Sequence, residues 1–231
     1  MSAQNIFDFE YIKTNNKISL FFIYFNGDIM KIIAHRANNN HKYKENTIEG
    51  IIDSLNKDYI DGVEFDIRLT KDKYFVLYHN ATYKDNLIKN KYLKDLKLDE
   101  LNNVLKNIKS NKIILIDIKC EEGNYKEMSD YLIKVLKKYK KLNIYLCSFN
   151  YEMCLYLKEK TKYKVGLLIS NLINKNKNIK PFDFISINYK IYKDINKDTF
   201  VWTINKKELF KKFLNKKVYI ITDKAYLILE K

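Results

Sequence analysis

The chain has 231 residues, 46% of them hydrophobic, and its 43 Lys and Arg against 28 Asp and Glu give a formal charge of +15. This length and apolar content suit a single α/β domain with a sizeable core. The apolar run at residues 18–25 is much shorter than the roughly 20 residues of a membrane-spanning helix, so it is not a membrane span. The amino terminus also lacks the basic start and small-residue cleavage site of a signal peptide.

Segments rich in β-branched and aromatic residues alternate with helical patterns along the chain. A repeated strand, helix, strand order predicts a closed parallel sheet with helices outside it. We predict strands at 31–36, 63–69, 112–119, 143–149, 164–169, 182–188, 199–204 and 218–222. We predict helices at 47–57, 98–108, 125–139, 151–159 and 206–214. Residues 31–231 then form one domain, and residues 1–30 form an amino-terminal extension that could cover the barrel floor.

A ninth strand, residues 74–79, follows the strand at 63–69 after a short polar link. So short a link implies an antiparallel hairpin, because a parallel partner needs a crossover of a dozen residues or more. If residues 72 and 73 occupy the two turn positions, Asp66 lies opposite His79. The hairpin therefore predicts that a carboxylate and an imidazole lie close together.

Three carboxylates are predicted to converge beside this hairpin. Glu64 and Asp66 leave the same face of one strand, and Asp117 and Lys119 leave one face of another. Crowding three carboxylates without a cation would raise at least one pKa steeply, which favours a bound divalent metal. Oxygen ligands indicate Mg²⁺ or Ca²⁺, with Mn²⁺ as a further candidate, whereas no Cys or His spacing favours zinc.

Histidines and basic residues complete the predicted site. His35 and His79 are free for proton transfer, which suits an unperturbed pKa of about 6.5. Arg36 and Lys119 would supply positive charge to phosphate oxygens. His41, in a polar loop, is interpreted as a loop residue near the rim of the pocket.

The ordered motifs resemble those of the glycerophosphodiester phosphodiesterase family, and the similarity spans nearly all of residues 31–226. The family pattern is His-Arg-Gly, Glu-Asn-Thr, Glu-x-Asp, His-Asp and Glu-x-Lys. The matching residues are His35-Arg36, Glu45-Asn46-Thr47, Glu64-Phe65-Asp66, His79 and Asp117-Ile118-Lys119, followed by the segments CSFN (147–150), VWTIN (201–205) and IITD (220–223).

The resemblance implies a (β/α)8 TIM barrel with a β-hairpin after the second barrel strand. It implies metal-dependent hydrolysis of a glycerophosphodiester to an alcohol and glycerol 3-phosphate, in which one histidine assists attack at phosphorus and the other protonates the departing alcohol. It leaves open which histidine has which role. By this resemblance the metal ligands are Glu64, Asp66 and Asp117, the proton-transfer residues are His35 and His79, the phosphate contacts are Arg36 and Lys119, and Trp202 lines the pocket.

Four departures from the family pattern accompany these matches. Ala37 replaces a glycine, Lys44 a proline, Asn80 an aspartate and Asp117 a glutamate. None removes a catalytic group. Aspartate in place of the glutamate also resembles the spider-venom sphingomyelinase D enzymes, and the link at residues 80–112 is short. The alternative function is therefore a lysophospholipase D or sphingomyelinase D activity on lipid headgroups.

A third hypothesis is an inactive barrel that binds anionic lipid or nucleic acid. The positive charge favours phosphate-bearing substrates or peripheral contact with an anionic membrane. No nucleic-acid-binding motif supports a specific nucleic-acid partner, and the lysine run at residues 137–141 is interpreted as solvated helix ends. Ser148 lacks a nucleophile turn, and Asp223, taken alone, could simply cap the last helix. Three cysteines without disulfide spacing favour a reducing, cytoplasmic location.

Overall fold

The computed structural model describes residues 30–38, 42–120, 123–171, 178–214 and 216–229. Within these ranges eight parallel strands form a closed barrel, because the first strand pairs with both the last strand and the second. The barrel strands are β1 (Lys31–Ala34), β2 (Gly62–Leu69), β6 (Ile113–Ile118), β7 (Ile144–Ser148), β8 (Lys164–Ile169), β9 (Phe184–Asn188), β10 (Asp198–Trp202) and β11 (Tyr219–Thr222). All eight lie within two residues of their predicted limits, and the (β/α)8 fold is confirmed.

Helices lie between the strands, and several begin at a side chain that caps them. Within the described ranges the α-helices are α1 (Ile48–Leu55), α2 (Leu101–Asn107), α3 (Tyr125–Leu136), α4 (Tyr151–Lys160) and α5 (Lys207–Lys211). Thr47 accepts a hydrogen bond from the backbone of α1, Glu100 from that of α2, and Asn150 from that of α4. These caps satisfy amide groups that have no partner inside the helix. The predicted helices are confirmed in place, although most are shorter than predicted.

Two layers of apolar side chains form the core. The outer layer lies between the strands and the helices and contains most of the buried aliphatic residues. The inner layer fills the barrel and is largely aromatic, including Tyr145, Phe184 and Phe200. Gly166 faces the Phe184 ring so closely that a Cβ atom there would lie 2.3 Å from it. The barrel is therefore a filled core, and the chemistry is confined to its mouth.

Strand β3 (Phe75–Leu77) pairs antiparallel with the end of β2, but in a register that differs from the prediction. Ile67 lies opposite Leu77, so Asp66 faces residue 78 and not His79. The predicted register was wrong because the loop has three residues rather than two. The Thr70 amide donates to the Tyr74 carbonyl at 2.8 Å, and Lys73 adopts a left-handed φ of 68°. The link that follows contains a short ribbon, β4 (Thr82–Tyr83) and β5 (Asn86–Leu87).

The predictions for residues 1–29 and for His41 lie outside the described residues. Among the helices that the structure describes, none is both long and apolar enough to cross a membrane.

Candidate active site

Three buried carboxylates form an acidic triad at the carboxyl ends of two neighbouring strands. Glu64 and Asp66 lie on β2, and Asp117 lies beside Asp66 on β6. One oxygen from each residue lies within 4.8 Å of the others. The Asp117 Oδ1 atom is buried and has no hydrogen-bond partner. Three carboxylates and an unpaired buried oxygen fit a hard divalent cation, which takes oxygen ligands.

The acidic triad has strongly perturbed protonation. Burial, together with repulsion from Asp66, raises the pKa of Glu64 to about 8. Burial raises the pKa of Asp117 to about 6 against the opposing effect of Lys119. Burial also acts to raise the pKa of Asp66, but the charge and hydrogen bonds of Lys119 and Asn46 outweigh it, so this pKa lies below its ordinary value.

Lys119 is the cation that the acidic triad contacts. Its Nζ atom lies 2.8 Å from Asp66 Oδ1 and also contacts Asp117 Oδ2. Burial opposes the charged form, but the two carboxylates raise the pKa of Lys119 above its ordinary value. The lysine predicted to contact phosphate is thus bound to the carboxylates that are predicted to hold metal. Lys119 and a metal ion would compete for these oxygens.

The His35 ring is hydrogen-bonded to Asp223, an acidic residue that directly follows the last strand. Its Nδ1 atom lies 2.7 Å from Asp223 Oδ1, and Asn205 donates to the other Asp223 oxygen at 2.6 Å. Burial acts to lower the pKa of His35, but Asp223 and Glu64 outweigh it and raise this pKa. Both Asp223 oxygens are thus bound by side chains of the site, and Thr222 accepts from the Lys224 amide just before the final turn. Asp223 belongs to a matched segment of the family pattern, but no spacing in the sequence predicts its contact with His35.

His79 lies at the rim, partly exposed, and its backbone is fixed by an arginine. Its carbonyl accepts hydrogen bonds from Arg68 Nε and Nη2 at 3.0 and 2.7 Å. Its Nδ1 atom lies 3.0 Å from Asn80 Oδ1, so Asn80 can orient the ring in place of an aspartate. Burial lowers the pKa of His79, and Asp66 and Asn80 offset this in part. The two histidines thus have pKa values shifted in opposite directions.

Arg36 occupies a strained turn between the triad and the first helix. Its amide donates to Glu64 Oε2 at 2.8 Å, and its Nη1 atom donates to both oxygens of Glu45 at 3.0 and 3.1 Å. Arg36 and Ala37 both have left-handed φ values, 51° and 53°. A left-handed φ explains why a glycine suits position 37 in the family pattern.

Asn46 supports the triad directly. Its amide group donates to Asp66 Oδ2 at 3.0 Å, and its carbonyl accepts from the Asp66 backbone at 2.9 Å. Asn46 is buried and has a left-handed φ of 56°, a conformation that asparagine tolerates better than most residues. Sequence reasoning had used this residue only as part of a motif.

Two aromatic side chains form a wall beside the triad. The rings of Trp202 and Phe149 meet edge to face with centroids 6.1 Å apart, and Lys119 Nζ lies 5.9 Å from the Phe149 centroid. The Trp202 Nε1 atom is buried without a hydrogen-bond partner. Ser148 donates to the Ile118 carbonyl at 2.7 Å, which agrees with the structural role expected for it.

Fold and site together define a TIM barrel whose mouth carries an acidic triad, two histidines and two basic side chains. The model of the Glycerophosphoryl diester phosphodiesterase family matches residues 35–115. A glycerophosphodiester phosphodiesterase of Caldanaerobacter subterraneus subsp. tengcongensis is 27% identical over 59% of this chain. That match spans 65% of the relative's own length. The chain is thus related to the glycerophosphodiester phosphodiesterase family, and the resemblance found in the sequence is confirmed.

Solved structures extend the likeness to the whole barrel. A glycerophosphodiester phosphodiesterase from Thermotoga maritima is 26% identical, with a TM-score of 0.71 over 87% of this chain and 97% of that one. One from Parabacteroides distasonis is 22% identical, with a TM-score of 0.76 over 85% and 93%. A phosphodiesterase from Oleispira antarctica, solved with the product sn-glycerol-3-phosphate, is 20% identical, with a TM-score of 0.75 over 86% and 95%.

Proposed function

We propose that this protein is a metal-dependent phosphodiesterase that hydrolyses glycerophosphodiesters to an alcohol and glycerol 3-phosphate. The observation that carries the proposal is the buried triad of Glu64, Asp66 and Asp117 placed between two histidine-bearing strand ends. The family match and the product named for the Oleispira antarctica relative support the substrate class. A cytoplasmic location remains a prediction.

The triad residues would hold one divalent cation, Mg²⁺ or Ca²⁺, with Mn²⁺ as a further candidate. When bound, the cation supplies Lewis-acid stabilisation of the charge on the phosphoryl oxygens. Glu64 would give up its proton on binding, because its raised pKa leaves it protonated at neutral pH. Asn46 keeps the Asp66 carboxylate in place through two hydrogen bonds.

His35 and His79 would move the protons of the reaction. Asp223 fixes the His35 ring at Nδ1, which leaves Nε2 for the substrate. Asn80 fixes the His79 ring at the same atom. One imidazole would take the proton of the attacking hydroxyl group and the other would protonate the departing alcohol. Arg36 and Lys119 would bind the phosphate oxygens, and Trp202 would line the pocket.

The test is a substrate panel with purified protein. Glycerophosphocholine and glycerophosphoethanolamine are incubated with Mg²⁺, Ca²⁺, Mn²⁺ or a chelator, and glycerol 3-phosphate is measured with a coupled assay. Lysophosphatidylcholine and sphingomyelin are tested in parallel. We expect turnover of the glycerophosphodiesters that the chelator abolishes. Turnover of the lipids alone would replace the proposed substrate class, and no turnover of any substrate would refute the proposed activity.

A further inference from the structure

A groove at the far end of the barrel concentrates positive charge. This basic groove is lined by Leu105, Lys106, Ile108 and residues 137–142, and has a cavity volume of about 470 Å³. It is formed where α2 and α3 end and the chain turns toward β6 and β7. These turns lead into the amino ends of the strands, so the basic groove lies opposite the candidate active site.

The charge of the basic groove is uncompensated. Five of its nine lining residues are lysines and none is acidic. The five lysines are exposed, and none of them forms an ion pair with a described residue. Lysines at a helix end often donate to the terminal carbonyl groups, but the ammonium groups of these five lysines donate to no described residue. The ammonium groups therefore remain available to an anion.

The floor of the basic groove is apolar and fixed in place. Leu105 and Ile108 are buried within it, and Leu142 is partly exposed. The Tyr139 hydroxyl donates to the Asn102 carbonyl at 2.9 Å and so anchors the end of α3 to α2. Leu105 and Ile108 therefore seal the bottom of the groove, and the apolar surface open to a ligand comes from the partly exposed Tyr139 and Leu142 inside a ring of positive charge. The methylene stems of the lysines add to that surface.

We propose that the basic groove binds an anionic phospholipid at a membrane surface, with the phosphate among the lysines and hydrocarbon against Tyr139 and Leu142. Lysines next to an anionic bilayer contribute favourably to membrane binding. A single-stranded nucleic acid would require a series of aromatic stacking surfaces along a charged channel, whereas Tyr139 is the one aromatic side chain among the described residues that line the groove. Bound this way, the candidate active site faces away from the bilayer, toward water-soluble substrates. The proposal concerns binding and does not depend on the proposed activity.

Vesicle flotation tests the proposal with the full chain. Wild-type protein is mixed with phosphatidylcholine vesicles, with or without about 30% phosphatidylglycerol. The groove variant replaces Lys137, Lys138, Lys140 and Lys141 with Gln. The control variant makes the same change at four exposed lysines elsewhere, Lys180, Lys193, Lys211 and Lys212. We expect wild type and control to bind the anionic vesicles within about threefold of each other, and the groove variant to bind at least about tenfold more weakly.

Three results would overturn the proposal. In the first, the wild-type protein does not bind anionic vesicles. In the second, the groove variant and the control variant lose binding equally, which would mean that only the net charge of the protein matters. In the third, a short DNA duplex displaces the protein from vesicles at the DNA concentration that saturates the basic groove. That result would assign the groove to nucleic acid. Thermal melting checks that the groove variant folds. If it does not fold, the double variant K138E/K141E is measured by the same criteria.

Discussion

The Nδ1 atom of His35 lies 2.7 Å from the Oδ1 atom of Asp223, although 188 positions separate the two residues in the chain. Closure of the barrel produces this contact, because β11, which ends just before Asp223, pairs directly with β1, which ends just before His35. Asn205 holds the far side of Asp223 and also accepts from its amide at 3.0 Å. The contact fixes which nitrogen of His35 faces the pocket.

Asp223→Asn should therefore impair the reaction more than substrate binding. Without the carboxylate, the imidazolium form of His35 loses its stabilising charge, so we expect the pKa of His35 to fall and kcat to drop by about 10²-fold with little change in KM. Steady-state kinetics across pH and NMR titration of the histidines measure both effects. The exposed Asp194→Asn serves as the control. Wild-type kcat in the Asp223 variant would show that the contact has no role in proton transfer.

Lys119→Met should separate metal binding from phosphate binding. The substitution frees the Asp66 and Asp117 oxygens that Lys119 now contacts, so we expect metal affinity measured by calorimetry to stay the same or to increase. The loss of a positive charge beside the substrate should raise KM at least about tenfold. A large loss of metal affinity would contradict the competition between Lys119 and the metal. The exposed Lys126→Met provides the matched control.

The metal-free protein should lose stability as pH rises from about 5 to 8. Glu64, with a pKa raised from 4.5 to about 8, keeps its proton in the folded state after the unfolded chain has lost it. The folded state then binds more protons, so the free energy of unfolding falls with pH; Asp117 and His35 act in the same direction, and His79, whose pKa is lowered, opposes them in part. We expect a loss of about 2 kcal/mol or more, roughly 4–8 °C in Tm.

Thermal melts in a chelator and in excess Mg²⁺ or Ca²⁺ measure this effect. The cation should flatten the pH dependence, because it displaces the proton from Glu64. Glu64→Gln should flatten it as well, with or without the cation. If Tm depended on pH in the same way for the chelator-treated wild type, the cation-loaded wild type and Glu64→Gln, Glu64 would be ionised in the metal-free protein.

Substitution by glycine should reduce the free energy of unfolding less at Ala37 than at Ala34. Ala34 and Ala37 are both buried, but Ala34 has φ −72° whereas Ala37 has φ 53°. Either change to Gly removes a buried methyl group and adds freedom to the unfolded chain. Only Ala37→Gly also relieves a left-handed conformation, which costs about 1–2 kcal/mol. Denaturant unfolding should show Ala34→Gly less stable than Ala37→Gly by about that amount, and equal losses would show that position 37 is unstrained.

Gly166→Ala should destabilise the barrel by about 1–3 kcal/mol, because the new methyl group meets the Phe184 ring. The clash depends on one partner, so Phe184→Leu in the same chain should recover part of the loss. A double-mutant cycle of unfolding free energies measures this coupling. Additive losses would indicate that the ring moves aside without cost.

The strands were predictable from sequence because each is a short run of β-branched and aromatic residues between polar links. The face shared by Glu64 and Asp66 followed from the two-residue period of a strand. The hairpin register could not be predicted, because Lys73 adopts a left-handed conformation in a three-residue loop that composition does not reveal. The contact of Asp223 with His35 was not predictable, because the two residues meet only across the closure of the barrel. The contact of Lys119 with the triad depends on which rotamer its long side chain adopts, which no spacing specifies.

The proposed two-histidine, metal-dependent hydrolysis is tested most directly by ³¹P NMR. Glycerophosphocholine is incubated with the wild-type protein and Mg²⁺, with the wild-type protein and a chelator, and with the His35→Ala and His79→Ala variants in Mg²⁺. If the protein is the proposed metal-dependent phosphodiesterase, the phosphodiester signal is replaced by that of glycerol 3-phosphate only when the metal and both histidines are present. Conversion that persists in the chelator, or in either histidine variant at the wild-type rate, would contradict this proposal.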